Sequence, residues 1–365
     1  MKILALDLAK SKSVALDMDT QSGEVEYQTI RTTPAEVQEL LRKRRPDRVV
    51  LEIGAAAGWV HDLAASMGVA VQVANPNGEA WRWSGLKVKT DRKDVDKLAH
   101  LSWVNQLPLV HMPSPQVRQK RALIAYLRKV IQRRTAIQCQ IHAILERQGL
   151  SCPSGKKTWG QENLKRLREL SMPLGETEEL DLWRGQLDLE LTALNQIEEQ
   201  TLMVERKLNA LGKQDPKVRL LRTIPGVGPR LSEALVAVID DPHRFHSGKE
   251  VSSYLGMVPR LYESGQMSRN GHITRAGNAM LRGLLVEVSW LGLRWNPYLA
   301  EIYNRIRGGS KTRNKAAIVA VARHLLVIAW TMLRKNEPWR EPKVPAARRD
   351  ETAPRMALAG QPPDA

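Results

Sequence analysis

Cysteine is scarce in this sequence, and long apolar runs are absent from it. The two cysteines, Cys139 and Cys152, are not spaced as a metal site or as a disulfide framework, so a reducing compartment is the expected setting. No apolar run reaches the roughly 18 residues that indicate a membrane span, and the first residues do not read as a secretory leader. We therefore expect a cytoplasmic protein with no membrane partner.

Acidic residues are also few relative to basic ones. The 365 residues include 56 Lys and Arg against 39 Asp and Glu, which gives a formal net charge of +17. Such an excess indicates a polyanionic partner, and because a membrane is not expected, nucleic acid is favoured. The basic excess lies mainly beyond residue 100. The nearly neutral first part suggests a domain whose acids take part in function.

The first 112 residues show an α/β pattern. Short apolar or alternating segments predict strands, and segments with helical spacing predict helices between them. Three strands come first, followed by helix, strand, helix and strand. The predicted strands are 2–8, 13–18, 25–31, 48–53 and 69–74, and the predicted helices are 34–44, 56–67 and one that has Thr90 as its N-cap.

Four carboxylates in this domain are candidate metal ligands. Asp7 and Glu52 lie in or after apolar strands, where an ionised carboxylate is costly unless it is paired or binds a metal. Asp91 and Asp94 are three residues apart in a helix and so face one side. In an RNase H-like order of strands, the four predict hard oxygen ligands for Mg²⁺ or Mn²⁺ in phosphoryl transfer. Turn or helix-cap roles are the alternatives for single members.

Residues 113–214 predict a long, coiled-coil-like helical hairpin. Helices over 118–145 and 178–211 carry apolar stripes that pack within the pair or against another subunit. Between residues 114 and 150 one acid accompanies eight basic residues, which favours phosphate contact over a solvated face. The candidate phosphate contacts here are Arg118, Lys120, Arg121, Arg128, Lys129, Arg133 and Arg134.

Residues 215–337 predict a mostly helical C-terminal domain, and residues 338–365 predict a disordered tail. The segment IPGVGP, at 224–229, matches a helix–hairpin–helix pattern, in which backbone N–H groups contact DNA phosphates without reading the bases. A glycine-rich turn between packed helices is the alternative. The candidate contacts are Gly226, Gly228 and Arg230.

The segment 255–278 is rich in Gly, Ser, Asn and Arg and predicts a polar loop between helices, where catalytic residues are often found. Ser264 in this segment is a candidate nucleophile, although no Asp–His pair nearby would activate it and a simple turn is favoured locally. Metal ions held by another domain would supply the activation. Tyr262 is a rival nucleophile and Ser268 a weaker one. The arginines suited to hold a phosphate are Arg260, Arg269 and Arg275.

With these residues in place, the chain resembles the DEDD-type serine transposases of bacterial insertion sequences, whose members choose their sites with a bridging RNA. Residues 1–112 resemble the RuvC-like domain of that family. The family's four acids are matched by Asp7 in ALDLAK, Glu52 in VLEIGA, and Asp91 and Asp94 in KTDRKDVDKLA.

The second part of the resemblance lies in the C-terminal domain. IPGVGP and the segment 254–287, YLGMVPRLYESGQMSRNGHITRAGNAMLRGLLVE, look like the family's transposase domain. Ser264 matches its catalytic serine. The resemblance extends over residues 1–335.

What the resemblance implies is DNA strand exchange through a phosphoserine intermediate, with Mg²⁺ or Mn²⁺ at the acids. It further implies double-stranded DNA partners at the element ends and target, a structured noncoding guide RNA, and dimers that pair into tetramers. Two other hypotheses remain open. One is a RuvC-like structure-specific endonuclease with a water nucleophile, and the other is a nucleic-acid-binding protein without catalysis.

Overall fold

The computed structural model describes residues 1–76, 78, 90–264 and 267–341, and at 156, 263, 264 and 267–270 it describes the backbone alone. Internal contacts divide the chain into two units, Met1–Gln119 and a second unit that begins at Lys120. The finer boundaries suggested by the sequence, after residues 112, 214 and 337, stay predictions.

A five-stranded mixed sheet forms the first unit. Its strands are β1 (Lys2–Asp7), β2 (Lys12–Asp19), β3 (Val25–Arg31), β4 (Arg48–Glu52) and β5 (Ala70–Ala74). The strand order is β3-β2-β1-β4-β5. The first three strands are antiparallel, while β4 is parallel to both β1 and β5. This arrangement is consistent with a RuvC-like fold.

Helices cover both faces of this sheet. Helices α1 (Pro34–Arg44) and α2 (Ala57–Ser66) pack on the face that includes Leu6, and α3 (Asp91–Trp103) packs on the face that includes Ala5. Alternation of side chains along β1 sends neighbouring residues to opposite faces. The predicted α/β domain is confirmed, and each predicted strand and each of the first two helices lies within one residue of the observed bounds.

Three helices follow in the chain. They are α4 (Pro115–Arg147), α5 (Gln161–Leu170) and α6 (Leu182–Gln214), and side chains such as Ile141 and Leu187 join them in one apolar cluster. Both predicted long helices are present, although α6 begins at Leu182 instead of residue 178. Helix α5 was not predicted. The pairing of α4 and α6 as an antiparallel hairpin stays a prediction.

The rest of the second unit is mostly helical, as predicted. Its elements are α7 (Pro216–Leu221), α8 (Pro229–Ile239), α9 (Gly248–Tyr254), β6 (Pro259–Ser264), β7 (Met267–Ile273), α10 (Ala279–Gly292), α11 (Pro297–Arg307) and α12 (Asn314–Lys335).

Helix α12 fills the core of this unit, as its apolar sequence predicts. Leu325 and Leu326 are fully buried among side chains of α8, α10 and α11. By length and composition the segment Lys311–Lys335 is apolar enough to cross a membrane, although charged residues interrupt its apolar sequence. A buried core helix satisfies the same criterion.

One prediction about this unit was wrong. The segment 255–278 is not a loop, because β6 and β7 pair as an antiparallel hairpin within it. Leu261 and Tyr262 in β6 are adjacent and both exposed, so this described part of β6 does not alternate between a buried and an exposed face as a typical half-buried strand does.

The start of the predicted tail packs on the core. The backbone N–H of Trp339 donates to the Thr223 hydroxyl at 2.9 Å, and its ring lies 6.2 Å from that of Tyr298. Residues 342–365, to which most of the disorder prediction refers, lie outside the described residues.

Candidate active site and nucleic-acid interface

Asp7 and Glu52 end neighbouring parallel strands on one face of the sheet. Leu6 pairs with Leu51 across β1 and β4, and the two acids are the next residues of their strands. Because side chains alternate along a strand, both acids belong to the face of Ala5, which α3 covers. Both are half-buried. Paired strands are about 5 Å apart, so the two acidic positions are direct neighbours.

Helix α3 begins with the other two candidate acids. The Thr90 hydroxyl accepts a hydrogen bond from the backbone of the first turn at 3.4 Å, which confirms Thr90 as the N-cap. Asp91 is exposed and Asp94 is half-buried. At a spacing of three to four residues they continue the stripe that packs on the sheet through Leu98. Both acids therefore belong to the side of α3 that faces the sheet.

Asp96 has a different environment. Its carboxylate accepts a hydrogen bond from the Tyr27 hydroxyl at 2.5 Å, and the Arg92 guanidinium lies 5.3 Å from the Tyr27 ring. The hydrogen bond to Asp96 raises the pKa of Tyr27. Asp96 thus contacts the edge strand β3 and does not join the stripe of the candidate ligands.

The chemistry of the four acids suits a hard divalent cation. Carboxylate oxygens are the donors that Mg²⁺ and Mn²⁺ prefer, and Asp7 with Glu52 offers two of them side by side. Within the ranges that the structure describes, no three His, Cys, Asp or Glu side chains are gathered closely enough to hold a metal ion. The convergence of all four acids stays a prediction.

Ser264 occupies the last position of β6, at the tip of the hairpin. The Cα register pairs Ser264 with Met267, Glu263 with Ser268, and Tyr262 with Arg269. The backbone of Ser264 therefore belongs to a strand, not to a free loop. The structure does not describe its side chain, and the nucleophilic role stays a prediction.

Two glycines fix the base of the hairpin. Gly256, before β6, has φ of +62°, and Gly277, after β7, has φ of +65°. A Cβ on Gly256 would lie 2.2 Å from the backbone nitrogen of Ala276, and a Cβ on Gly277 would lie 2.1 Å from the carbonyl oxygen of Tyr254. Only glycine fits where the two chain segments approach so closely.

Arg282 ties the two ends of the hairpin together. Its guanidinium donates to the carbonyl oxygen of Leu255 at 3.1 Å and to that of Ala276. Burial, followed by the charge of Arg275, lowers the pKa of Arg282. The Asn278 side chain caps α10 directly after the hairpin. The hairpin therefore stands on a rigid base.

Basic and aromatic side chains are exposed on the hairpin and beside it. Arg260, Tyr262 and Arg275 are exposed. Positions 262 and 264 share one face of the hairpin by alternation, Arg269 is the register partner of Tyr262, and Arg260 lies at an irregularity in the strand pairing. These positions suit phosphate contacts next to Ser264, and that role stays a prediction.

Three of the basic candidates on α4 already have partners within the chain. Arg118 forms an ion pair with Asp62, and Lys120 pairs with Asp215 at 3.1 Å. Arg121 donates to two carbonyl oxygens in the last turn of α8 at 2.6 and 3.0 Å, and burial lowers its pKa. These side chains hold the fold together, so any phosphate contact they make would compete with these bonds.

The remaining α4 candidates are more available. Lys129 and Arg133 are exposed and make no hydrogen bond or ion pair with the residues that the structure describes. Arg128 is exposed and donates to the Met280 carbonyl oxygen at 3.3 Å. Arg134 is half-buried, and its Nε has no hydrogen-bond partner among the described atoms. Lys129 and Arg133 are thus the best-placed phosphate contacts of this helix.

The glycine turn between α7 and α8 has a packing explanation of its own. Gly226 has φ of +86°, and a Cβ there would lie 3.0 Å from the Cα of Gly292. Gly228 precedes α8 and has open space at its Cβ position. Arg230 forms an ion pair with Glu233 at 2.7 Å. Phosphate binding by this turn, as in a helix–hairpin–helix, stays a prediction.

Sequence reasoning missed the base of the hairpin. The signal was a glycine at each end of the polar segment, Gly256 and Gly277, which the prediction of a loop left unexplained. It also missed Trp295, which is largely exposed, because no pattern in the sequence separates an exposed tryptophan from a buried one.

Comparison with known proteins gives two family matches in chain order. A transposase family model of the DEDD and IS110 type matches residues 4–148, and the model of the Transposase IS116/IS110/IS902 family matches residues 218–304. The first match contains all four candidate acids and the second contains Ser264. The matches support the resemblance at the level of the family and do not test the serine or the bridging RNA.

Individual relatives agree with these matches. The transposase for insertion sequence element IS1111A of Coxiella burnetii is 26% identical, over 93% of this chain and 92% of its own. A probable family 20 transposase of Pseudomonas aeruginosa is 24% identical over 92% and 98%. The pilin gene-inverting protein of Moraxella lacunata is 31% identical over 36% and 41%. The chain is an insertion-sequence transposase of the IS110/IS116 family, and so a DNA transposase or recombinase.

Proposed function

We propose that this transposase exchanges DNA strands through a covalent ester between Ser264 and a DNA phosphate. In cleavage, the serine oxygen bonds to phosphorus, its proton is released, and a deoxyribose oxygen leaves and takes up a proton. In rejoining, a deoxyribose hydroxyl attacks the phosphoserine and frees the serine. The ester conserves the phosphodiester bond energy, so no ATP is needed.

The observation that carries the proposal is the adjacency of Asp7 and Glu52 at the ends of paired strands, on the face covered by α3. We propose that these two acids, with Asp91 and Asp94, hold Mg²⁺ or Mn²⁺. Bound divalent ions would offset the negative charge that develops on the phosphate. The chain's own part is to fix the oxygen donors, through strand register and through the cap at Thr90.

The hairpin supports the placement of the nucleophile. Its base is fixed by Gly256, Gly277 and Arg282, so the strand that ends at Ser264 is held at a defined position. Arg260 and Arg275 are exposed and suited to orient a phosphate through charged hydrogen bonds.

The proposed partners are the DNA duplexes of the element ends and target, a structured noncoding guide RNA, and further copies of the chain as a dimer or tetramer. The exposed Lys129 and Arg133 support contact with a nucleic-acid backbone. Leu182, Leu189 and Met203 are exposed on α6 at heptad intervals, which supports self-association. The proposed location is the cytoplasm.

The guide RNA has a test of its own. RNA that copurifies with the protein is sequenced, and one dominant species from DNA beside the gene is expected. A random population of cellular RNA would count against guidance while leaving the serine mechanism untouched.

The serine mechanism is tested by trapping. A DNA substrate that carries an element end and a nick beyond the cleavage site lets the cut strand diffuse away, so a covalent protein–DNA product accumulates on a denaturing gel. The adduct is expected with the native chain and with Ser268→Ala, and it is expected to be lost in Ser264→Ala. Cleavage without any adduct would instead support attack by water.

A further inference from the structure

An exposed aromatic patch lies where α10 ends. Trp295 is 70% exposed, Leu291 is 53% exposed and Trp290 is 43% exposed. Tryptophan is on average among the more buried residues, because leaving its large apolar surface in water is unfavourable. Trp295 follows Leu291 by four positions, just beyond the end of α10, and the exposed Arg294 directly precedes it in the chain.

The backbone beneath the patch is fixed. The N–H groups of Trp295 and Asn296 both donate to the carbonyl oxygen of Gly292, at 3.0 and 2.9 Å. The Asn296 side chain then caps α11. The Trp290 ring meets the Tyr303 ring edge-on at 5.6 Å. Trp295 itself is covered by no aromatic ring and no cation among the residues that the structure describes.

The patch adjoins the glycine turn between α7 and α8. Gly226, in that turn, packs against Gly292 in the last turn of α10. A Cβ placed on Gly226 would lie 3.0 Å from the Cα of Gly292. Arg222, which directly follows α7, is exposed like Arg294. Exposed aromatic rings together with guanidinium groups are the side chains by which proteins bind single-stranded nucleic acid, since bases stack on the ring and phosphates contact the cations.

We propose that the end of α10 binds an unpaired base of single-stranded DNA, which stacks on Trp295 while Arg294 contacts the adjoining phosphate. DNA is the occupant chosen because the chain is a DNA transposase and strand exchange unpairs DNA bases. The proposal rests on that family assignment and does not require Ser264 to be the nucleophile.

A second copy of the chain fits the patch less well. A two-fold contact would bring Arg294 of both copies close together, and like charges oppose such a contact. The one acid of α10, Glu287, lies two turns earlier. A DNA strand instead supplies both a stacking partner and negative charge.

The test uses the full chain and two fluorescein-labelled oligonucleotides of about 20 units, one of thymidine and one abasic, which keeps the phosphates without the bases. Trp295→Ala is expected to weaken binding of the thymidine strand roughly tenfold and to leave abasic binding unchanged. Trp295→Phe retains most of the affinity. Trp103→Ala, a tryptophan 49% exposed in the first unit, is the matched control and leaves both affinities unchanged.

Arg294→Ala is expected to weaken the binding of both oligonucleotides, and Arg294→Lys is expected to keep most of the native affinity. Equal affinity of Trp295→Ala and the native chain for thymidine DNA would overturn the proposal, as would an equal loss on both oligonucleotides. A uridine RNA oligonucleotide of the same length is measured beside them, and tighter, Trp295-dependent binding of this RNA would overturn the assignment to DNA. Because these measurements involve no cleavage, failure of the serine mechanism leaves them unaffected.

Discussion

Strand register makes Asp7 and Glu52 neighbours at the ends of β1 and β4. They follow the pair Leu6 and Leu51, and alternation sends both to the face under α3. A carboxylate at such a position is costly unless a cation or a hydrogen bond accompanies it. At the residue scale, the proposed chemistry therefore depends on which acids of α3 act with this pair.

Asp94 and Asp96 provide a matched comparison on one helix. Asp94→Asn is expected to lower the rate of DNA cleavage at least about 100-fold, because a neutral amide binds a divalent ion far more weakly than a carboxylate. Asp96→Asn is expected to keep most of the rate, since the partner of Asp96 is the Tyr27 hydroxyl. Cleavage rates of element-end DNA and melting temperatures are measured for both. Equal rates for the two variants would remove Asp94 from the proposed ligands.

His324, in α12, predicts how stability depends on pH. Burial, followed by the charges of Arg323 and Arg305, lowers its pKa below the usual 6.5. The fold thus favours the neutral ring of His324. The stability that this preference contributes is present above the pKa of the unfolded state and is lost as the pH falls through the lower pKa of the folded state. When the pH is lowered from about 7.5 to 5.5, the melting temperature of the native chain is expected to fall further than that of His324→Gln. Equal losses would contradict this assignment.

At the scale of elements, the hairpin of β6 and β7 shows where the sequence is uninformative. The long helices were predicted closely because one face of each is apolar, and strands β1 and β4 because their central residues are apolar on both faces. Leu261 and Tyr262 are adjacent and both exposed, so the side chains that the structure describes in β6 form no such face. Its stability comes from backbone pairing and from its base, and neither leaves a periodic pattern in the sequence.

Gly277 and Gly308 separate the two reasons for a glycine. Both have positive φ, but a Cβ on Gly277 would lie 2.1 Å from the Tyr254 carbonyl oxygen, whereas Gly308 has open space. Gly308→Ala is expected to cost about 1 kcal/mol from φ alone. Gly277→Ala is expected to cost about 2 kcal/mol or more and to slow cleavage, because the hairpin must shift. Urea unfolding and cleavage rates test this, and equal costs would show that the close approach is easily relaxed.

Arg121 and Arg133 separate structural from binding roles within α4. Arg121→Met is expected to destabilise the chain by about 1.5–3 kcal/mol, because two carbonyl oxygens at the end of α8 lose a charged donor. Arg133→Met is expected to leave stability within about 0.5 kcal/mol of the native value. Arg133→Met should also weaken DNA or RNA binding, and the salt dependence of the binding constant should fall by about one released counterion.

The comparison is read from urea unfolding and from binding at several salt concentrations. Loss of binding in Arg121→Met without loss of stability would reverse the two roles. Unchanged binding and salt dependence in Arg133→Met would exclude this side chain from the interface.

At the scale of the whole molecule, the sequence predicted the class of each part better than its detailed contacts. The α/β sheet, the long helices and the family followed from periodicity and from quoted motifs. The hydrogen bonds and ion pairs of Arg118, Arg121 and Arg230 could not be predicted from the sequence, because a basic residue with a partner inside the fold and one available to bind phosphate look alike in sequence. Helix α5 was missed, and Ser264 is placed only through its backbone.

The most direct measurement concerns the atom that carries the DNA. The adduct trapped on element-end DNA is digested with nuclease and trypsin, and the modified peptide is fragmented in a mass spectrometer. Cleavage after Arg260 and Arg269 gives the peptide 261–269, which contains Tyr262, Ser264 and Ser268 together. A nucleotide ester on Ser264 is the predicted result. An ester on Tyr262 or Ser268, or on a peptide elsewhere in the chain, would contradict the proposed mechanism.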